Sequence, residues 1–306
     1  MVPQRPNPKK YLVQSIFRGE PRQIDAAGPT SVSGEKSFKD GMPVGEPAPL
    51  EWLPWPADCR TLAKVPVSPD MTGNGLSRDC LERLRRFDTC ALSNAIERLK
   101  LRPRNEGYIV GAVRCQFPNL PPVIGYAVTA RMRSSKPPVG GGWFEEHLDW
   151  WRYVTRVPAP RIVVIEDSDR PPGTGAMFGE VHARICRALD CVAYVTNGAV
   201  RDLPGIENLG FQLFAQSLSV SHGYAHVVDY GGPIEIGGLR ISSGDLLHGD
   251  VHGVHMIPQQ HVRDLPALAE KVLLQEQELF QLCDDRNFSV DLLAAKLEEQ
   301  KLRKEL

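Results

Sequence analysis

The chain lacks the patterns that mark several large protein classes. Its 306 residues contain 36 Lys and Arg against 37 Asp and Glu, so it has no excess positive charge for a nucleic-acid backbone. No run approaches the roughly 20 apolar residues of a membrane-spanning helix, and the N-terminus has no apolar signal segment. Its seven cysteines form no C-x-x-C pair, which is typical of reduced thiols. We therefore expect a cytoplasmic protein that binds neither nucleic acid nor membrane.

Nucleotide-binding motifs and lysine are missing from the middle of the chain. No G-x-G-x-x-G, Gly-Lys-Ser/Thr or G-x-S-x-G sequence occurs, which excludes the common dinucleotide, P-loop and hydrolase signatures. Between Lys136 and Lys271 there is no lysine at all. Cleavage of a carbon–carbon bond beside a carbonyl needs an electron sink, which proteins supply as a lysine Schiff base or as a metal ion. This segment therefore favours the metal route for such a reaction.

Proline dominates the first quarter of the chain. Residues 1–75 combine many prolines with little hydrophobic periodicity, which predicts an extended arm that wraps around the rest of the protein. Trp52 and Trp55 interrupt this composition, and we expect them to dock on the main domain or on a neighbouring subunit.

Regular helical spacing begins after this arm. Leu81, Leu84 and Phe87 predict one helix, and Thr89 is the predicted N-cap of a second. Residues 143–154 repeat apolar side chains at intervals of three and four, which predicts an amphipathic helix that packs on the core, with a substrate lid as the alternative.

Six strands and a helical C-terminus complete the prediction. The strands are expected at 123–132, 161–166, 192–196, 211–215, 226–229 and 250–257. We interpret 76–262 as one α/β domain, in which strands outnumber helices. Residues 263–306 are predicted to form helices that contribute oligomer contacts.

A helix start in the middle of this domain is the first part of a candidate site. Val181, Ile185 and Leu189 recur at i, i+4 and i+8, which predicts a helix that begins near Gly179. The first turn of a helix presents unpaired N–H groups and a partial positive charge. Such an end suits the carboxylate of a small acid.

Three charged residues supply the rest of the candidate site. Glu180 opens the predicted helix, while Arg201 and Asp202 follow the strand predicted at 192–196. Arginine offers a planar fork of donors, and aspartate binds hard divalent cations through oxygen. Each residue also has an ordinary explanation. Glu180 would complement the helix dipole, and Arg201 and Asp202 would form a surface turn pair in which Asp202 caps a short helix at 203–208.

Three histidines form a second cluster. His248, His252 and His255 suggest zinc, but Gly249 and Gly253 argue against the helix that would bring an i, i+4 pair together. On a single strand, His248 and His252 would share a face and His255 would not. We expect a structural role in which their polar atoms have partners.

From about residue 125 onward, the chain resembles the RraA-like family, which includes the 4-hydroxy-4-methyl-2-oxoglutarate/4-carboxy-4-hydroxy-2-oxoadipate aldolases. The matching segments are GYAVTARM at 125–132, FGEVHARICRALDCVAYVTNGAVRDLPGIENLGF at 178–211 and GGLRISSGDLLHGDVHGVHMIP at 237–258. The combination of NGAVRD with the upstream FGE is the most specific part. The resemblance implies an α/β fold, a β/β/α sandwich with flanking N- and C-terminal helices. It also implies a homotrimer or homohexamer with active sites at subunit boundaries.

The resemblance also implies a role for each candidate residue. Asp202 would hold Mg²⁺ or Mn²⁺, and Arg201 would stabilise the keto oxygen of the substrate as it becomes an enolate. Glu180 stands where lyases of the family carry an acidic residue that orients metal-bound water. Backbone amides would bind the pyruvyl carboxylate, so the substrate-binding residues are Gly179, Glu180, Val181, His182 and Arg201.

This sequence departs from the family pattern in two respects. Glu180 is one methylene longer than the aspartate of the characterised aldolases. Those enzymes also take an acidic residue from the C-terminal helix of a neighbouring subunit, for which Glu276 and Glu278 are the candidates. The N-terminal arm and the segment around Trp150 and Trp151 have no counterpart in the short family members.

The predicted function is therefore a divalent-metal-dependent lyase for small 2-oxo acids. Its reaction would be retro-aldol cleavage to pyruvate, decarboxylation of oxaloacetate, or both. The alternative is a non-catalytic RraA-like regulator that binds a protein partner. The joint presence of Glu180, Arg201 and Asp202 favours the enzyme, because a binding surface does not need a chelating carboxylate beside an arginine.

Overall fold

A computed structural model of the chain describes residues 76–138 and 145–305. Its helices are α1 Arg78–Arg85, α2 Thr89–Arg98, α3 Glu145–Val154, α4 Glu180–Ala188, α5 Leu203–Asn208, α6 Leu265–Cys283 and α7 Val290–Glu305. Its strands are β1 Arg114–Cys115, β2 Val123–Arg133, β3 Arg161–Asp167, β4 Ala176–Phe178, β5 Cys191–Thr196, β6 Ala199–Val200, β7 Gln212–Ala215, β8 Ser217–Leu218, β9 His226–Tyr230, β10 Ile234–Ile236, β11 Leu239–Ile241, β12 Leu246–Asp250 and β13 Gly253–Ile257. None of these helices is both long enough and apolar enough to cross a bilayer.

Two sets of predictions remain untested. The proline-rich arm, with Trp52 and Trp55, lies outside the described residues, as do Trp143 and Phe144. The division into 1–75, 76–262 and 263–306 stays a prediction.

Four parallel strands form the centre of the main sheet. β7, β5, β3 and β2 lie side by side in that order, and helices in the connections carry the chain from one parallel strand to the next. β1 extends the sheet beyond β7, while β12 and β13 extend it beyond β2, all in antiparallel pairing. β9 also pairs antiparallel with β2, at its C-terminal half.

Each face of this sheet has its own apolar core. Val163 and Ile165 of β3 belong to the cluster that includes the helices, whereas Ile162 and Val164 belong to a second cluster. The second cluster is closed by the β10–β11 hairpin through Ile234, Ile236, Leu239 and Ile241. Helices, main sheet and hairpin thus form the layers that the family resemblance implies, which confirms the α/β fold class.

Most of the predicted strands are confirmed within one residue at each end. The exception is the strand predicted at 250–257, because a turn at Val251 and His252 divides it. The two halves belong to β12 and β13, which pair as an antiparallel hairpin. Periodicity alone did not reveal this turn, since the residues on both sides of it are strand formers.

Two details of the predicted helices are wrong. Asp88, and not Thr89, caps α2: its carboxylate accepts the Ala91 N–H at 2.7 Å, while the Thr89 hydroxyl donates to Asp250. The apolar stripe predicted for α4 is also not its buried face, because Val181 is 69% exposed and the buried residues are Ala183 and Cys186. Small side chains let this short helix pack closely against the core.

The histidine cluster differs from its prediction. The β12–β13 hairpin places His248 directly opposite His255, and the two buried rings lie 5.4 Å apart between centroids. Within the described residues, neither ring makes a hydrogen bond of good geometry, although His248 lies near the Phe87 backbone, and His252 lies in the turn beside Asp250. The single-strand arrangement, in which His248 and His252 share a face, is therefore not formed, and the expected satisfied polar partners are not found among the described residues.

Acid is expected to destabilise the fold through this pair. Burial lowers the pKa of His248 to about 4, and burial followed by the neighbouring His248 lowers the pKa of His255 well below its ordinary value. Between about pH 6.5 and pH 4 the unfolded chain thus binds more protons than the folded chain, so the free energy of unfolding falls as the pH is lowered. His248 alone accounts for about 3 kcal/mol over this range.

Thermal unfolding at several pH values between 7.5 and 4.5 tests this expectation. His248→Leu should show a weaker dependence of the midpoint on pH than the wild type, whatever its stability at pH 7.5. His261→Asn, which changes a partly exposed histidine, should keep the wild-type dependence. Identical pH profiles for His248→Leu and the wild type would contradict the assignment.

Candidate active site

Two short parallel strands bring the candidate residues together. β4 and β6 belong to a small three-stranded sheet, in which Phe178 pairs with Val200. The Arg201 N–H continues this pairing with a hydrogen bond of 3.0 Å to the Phe178 carbonyl. Since the strands run in the same direction, the residues that follow each of them leave the sheet side by side. Glu180 and Asp202 are twenty-two positions apart in the sequence, and this arrangement brings them into direct contact.

Asp202 has an unusual backbone conformation. Its φ of 58° and ψ of 36° lie in the left-handed region, which costs a non-glycine residue roughly 1 kcal/mol or more. Although it occupies the N-cap position of α5, its side chain caps no N–H of that helix. Instead, Oδ2 accepts the Glu180 N–H at 3.2 Å and lies 3.5 Å from Arg201 Nε. The Asp202 carboxylate therefore does not cap α5, as the alternative explanation required.

Gly179 allows this close approach. A Cβ atom at position 179 would lie 2.5 Å from Asp202 Oδ2 and 3.2 Å from Arg201 Nε. The backbone conformation at Gly179 is extended, so available space and not chirality requires glycine there. The α4 N-terminus consequently lies directly against the carboxylate of Asp202.

Glu180 is held by contacts on both sides. Its Oε1 accepts from Arg184 Nη2 at 2.6 Å and from Arg184 Nε at 2.9 Å. Its Oε2 lies so close to Gly205 of α5 that a Cβ atom at that position would overlap it. The carboxylate is therefore held by an i, i+4 ion pair on one side and by the backbone of the neighbouring helix on the other, while only the backbone N–H of Glu180 contacts Asp202.

Arg201 has hydrogen-bonding capacity to spare. Its side chain is 31% exposed, and the buried Nε atom has no hydrogen-bond acceptor among the described residues. The nearest acceptor, Asp202 Oδ2, lies 3.5 Å away in an ion pair that is too long for a good hydrogen bond, so a ligand oxygen closer to this donor would be favoured. The planar fork of guanidinium donors matches the geometry of a carboxylate or keto acid.

The first turn of α4 provides further donors. No hydrogen bond of the Val181 N–H is formed within the described part of the chain, as expected for the start of a helix. The ring of His182 lies between two aromatic rings, 6.3 Å from Phe178 and 5.9 Å from Trp151. The structure thus brings together all the residues that were predicted to bind substrate and metal, while their roles stay predictions.

The donor set has the character of a magnesium site. No group of three or more His, Cys, Asp or Glu side chains that could hold a metal occurs among the described residues, so a closed zinc-type cage is absent from that part of one subunit. Mg²⁺ is typically bound by one or two carboxylates and completes its shell with water and substrate oxygens. The 43% exposed carboxylate of Asp202, beside Arg201, fits this requirement.

Two glutamates of α6 were predicted as ligands donated by a neighbouring subunit. Glu276 accepts a hydrogen bond from Asn94 at 3.2 Å, and Glu278 forms an ion pair with Lys296 at 2.8 Å. Each thus has a partner within its own chain. Their proposed contribution to a neighbour's site stays a prediction.

Some residues of the site were missed by sequence reasoning. Arg184 could have been found, because it follows Glu180 by four positions on a predicted helix. Gly205 and Trp151 gave no such signal, since they come close to the site only through tertiary packing.

A cavity of about 550 Å³ lies elsewhere. It is located near the N-terminal ends of the parallel strands, among Val123, Ile124, Cys191 and Gln212, and none of the candidate residues lines it. The convergent charged groups lie instead at the exposed ends of β4 and β6.

Comparisons with known proteins identify the family of the chain. The model of the RraA-like family, described as Aldolase/RraA, matches residues 89–256. A protein of Halalkalibacterium halodurans, provisionally named 4-hydroxy-4-methyl-2-oxoglutarate aldolase, is 27% identical over 114 residues, which are 37% of this chain and 54% of that protein. Protein DlpA of Legionella pneumophila is 23% identical over 129 residues, which are 42% of this chain and 21% of DlpA.

A solved structure shows the same fold. Streptomyces coelicolor RraAS2, described as an unusual member of the RNase ES inhibitor RraA protein family, superposes with a TM-score of 0.52 at 17% identity. The match covers 68% of this chain and 98% of RraAS2. By contrast, the chain spans only about half or less of the length of the two curated relatives.

Proposed function

Because the chain belongs to the RraA-like family, we propose that it is a divalent-metal-dependent lyase that cleaves or decarboxylates small 2-oxo acids. The observation that carries the proposal is the contact of Asp202 Oδ2 with both the Glu180 N–H and Arg201 Nε. In this contact the N-terminus of α4, a guanidinium and a carboxylate surround one point, and the Val181 N–H is left for a ligand. A 2-oxo acid offers the matching groups, namely a carboxylate and an adjacent keto oxygen.

Substrate binding would use the positive groups of the site. The N–H groups of the first turn of α4 would hold the carboxylate, aided by the partial positive charge of the helix end. Arg201 would donate to the keto oxygen, and this bond would strengthen as negative charge develops on that oxygen. A divalent cation held by Asp202 would supply Lewis-acid polarisation of the bound 2-oxo acid.

Proton transfer would fall to Glu180. In retro-aldol cleavage the hydroxyl at C4 loses a proton, the C3–C4 bond breaks and its electron pair forms the enolate. Glu180, fixed by Arg184, is a carboxylate at the edge of this point and would accept that proton through water. In oxaloacetate decarboxylation the same enolate forms when CO₂ departs, so the same two positive groups would serve both reactions.

The pyruvate released from oxaloacetate and from 4-hydroxy-4-methyl-2-oxoglutarate tests the proposal. With Mg²⁺ or Mn²⁺ present we expect turnover well above a protein-free control containing the same metal. Excess EDTA should reduce the rate at least about 100-fold, because Lewis-acid stabilisation of the enolate is lost, and added metal should restore it.

Failure to release pyruvate from either substrate by folded, metal-loaded protein would contradict the lyase. It would favour the alternative, a regulator that binds a protein partner.

The proposed homotrimer or homohexamer is tested separately by light scattering, and a monomer with full activity would exclude a site shared between subunits.

A further inference from the structure

We propose that Trp151 and His182 form an aromatic wall of this site and make it selective for 2-oxo acids whose distal group is flat and apolar, such as an aryl group. The inference rests on the proposed function, because it takes the α4 N-terminus as the carboxylate-binding end. It concerns the part of the substrate that lies beyond the 2-oxo acid group.

The wall begins within the carboxylate-binding turn itself. His182 is the third residue of α4, and its ring lies 5.9 Å from Trp151 and 6.3 Å from Phe178, with interplanar angles of 41° and 42°. These are tilted arrangements of the kind that aromatic rings prefer. Phe178 is buried, so a substrate held by the amides of this turn would contact the rings of His182 and Trp151 if its chain ran toward α3.

Trp151 packs against a cluster of aromatic residues in the core. Trp150 is buried and packs against Tyr153 and Tyr230, with centroid distances of 6.2 and 5.9 Å. Trp151 packs at 6.2 Å from Trp150 but remains only partly buried. A rigid aromatic residue with part of its surface open loses little conformational entropy when it contacts a ligand.

The charges around the wall argue against a carboxylate in direct contact with Trp151. Arg184 is one turn further along α4 than Glu180, and its guanidinium is occupied by Glu180 Oε1. Arg201 is assigned to the keto oxygen. A distal carboxylate placed against the tryptophan would lose hydration without gaining a cation, whereas an aryl group would gain contact with the rings.

The reaction with such a substrate balances without a further reactant. In 4-hydroxy-4-phenyl-2-oxobutanoate the C4 hydroxyl loses its proton, the C3–C4 bond breaks and benzaldehyde departs. The electron pair remains on C3 as the enolate of pyruvate, which takes up one proton. The products are benzaldehyde and pyruvate, and no oxidation or reduction takes place.

Ligand binding tests the wall independently of turnover. Isothermal titration in the presence of Mg²⁺ would compare phenylpyruvate with pyruvate on the wild type, Trp151→Ala, Trp151→Leu and Trp151→Phe. The wild type should bind phenylpyruvate at least about tenfold more tightly than pyruvate. Trp151→Ala and Trp151→Leu should lower this preference to threefold or less without changing the Kd of pyruvate, while Trp151→Phe should retain most of it.

Trp151→Leu keeps an apolar side chain and therefore separates loss of the ring from loss of packing. Leu148→Ala, which changes an exposed residue of the same helix, is the matched control and should keep the wild-type preference. Equal affinity of the wild type for the two ligands, or an unchanged preference in Trp151→Ala, would contradict the proposal that Trp151 and His182 select aryl substrates. If the preference depends on Trp151 but no pyruvate is released from oxaloacetate or from either aldol, the wall stands and the lyase proposal fails.

Discussion

Asp202→Asn is expected to lower kcat/KM for pyruvate release from oxaloacetate roughly 1000-fold, while the fold is retained. The substitution removes the negative charge that would anchor the divalent cation, and polarisation by a metal is worth several kcal/mol of transition-state stabilisation. Asparagine tolerates the left-handed backbone of position 202, and its amide oxygen can still accept the Glu180 N–H. Steady-state kinetics and titration of Mn²⁺ would measure the two losses.

The chain contains a matched control for this variant. Asp190 also has a left-handed backbone, with a φ of 53°, but it follows the opposite end of α4 and is well exposed. Asp190→Asn should therefore leave activity and metal binding unchanged. Wild-type activity in Asp202→Asn would show that Asp202 does not bind the metal ion. A fall in the thermal midpoint much larger than that of Asp190→Asn would indicate a structural role instead.

Alanine is a less informative substitution at position 202. It would keep the left-handed strain, at roughly 1 kcal/mol, and would also lose the hydrogen bond from the Glu180 N–H. Glycine removes the strain, so Asp202→Gly is expected to be inactive yet close to the wild type in stability. That combination is typical of a residue whose conformation serves chemistry.

Arg201→Lys is expected to lower kcat about 100-fold and to change the affinity for Mn²⁺ less than threefold. Lysine keeps the charge but not the planar fork, so the bond to the developing enolate oxygen would be weakened in the transition state. The metal ligand Asp202 is retained, which is why metal binding should survive. Measurement of kcat and KM for oxaloacetate, with metal titration on the same samples, separates the two effects.

Arg187→Lys makes the same change at a position in α4 and serves as the control. It should keep wild-type kinetics, because Arg187 lies in the last turn, away from Asp202. If kcat of Arg201→Lys equals that of the wild type, Arg201 has no role at the enolate. A large loss of metal affinity would show instead that Arg201 mainly positions Asp202.

Part of the site could be predicted from the sequence because the signals for it lie within short segments of the chain. Glu180 lies at the start of a helix with clear periodicity, and Arg201 precedes Asp202 directly in the chain. The contact between them depends on β6, which was not predicted: two residues are too few to show a strand period. Gly205 and Trp151 were missed for the related reason that only packing of α5 and α3 brings them to the site.

The sequence by itself determined the fold class, most strand positions, the family and the residue types available for chemistry. These depend on short-range periodicity and on motifs within a few tens of residues. Only the tertiary structure decided that Asp202 turns toward α4 instead of capping α5, and that His248 lies opposite His255 in the core. The direction of a side chain depends on which strands pair and which surfaces are buried. These contacts join residues far apart in the sequence, so the spacing of nearby residues does not predict them.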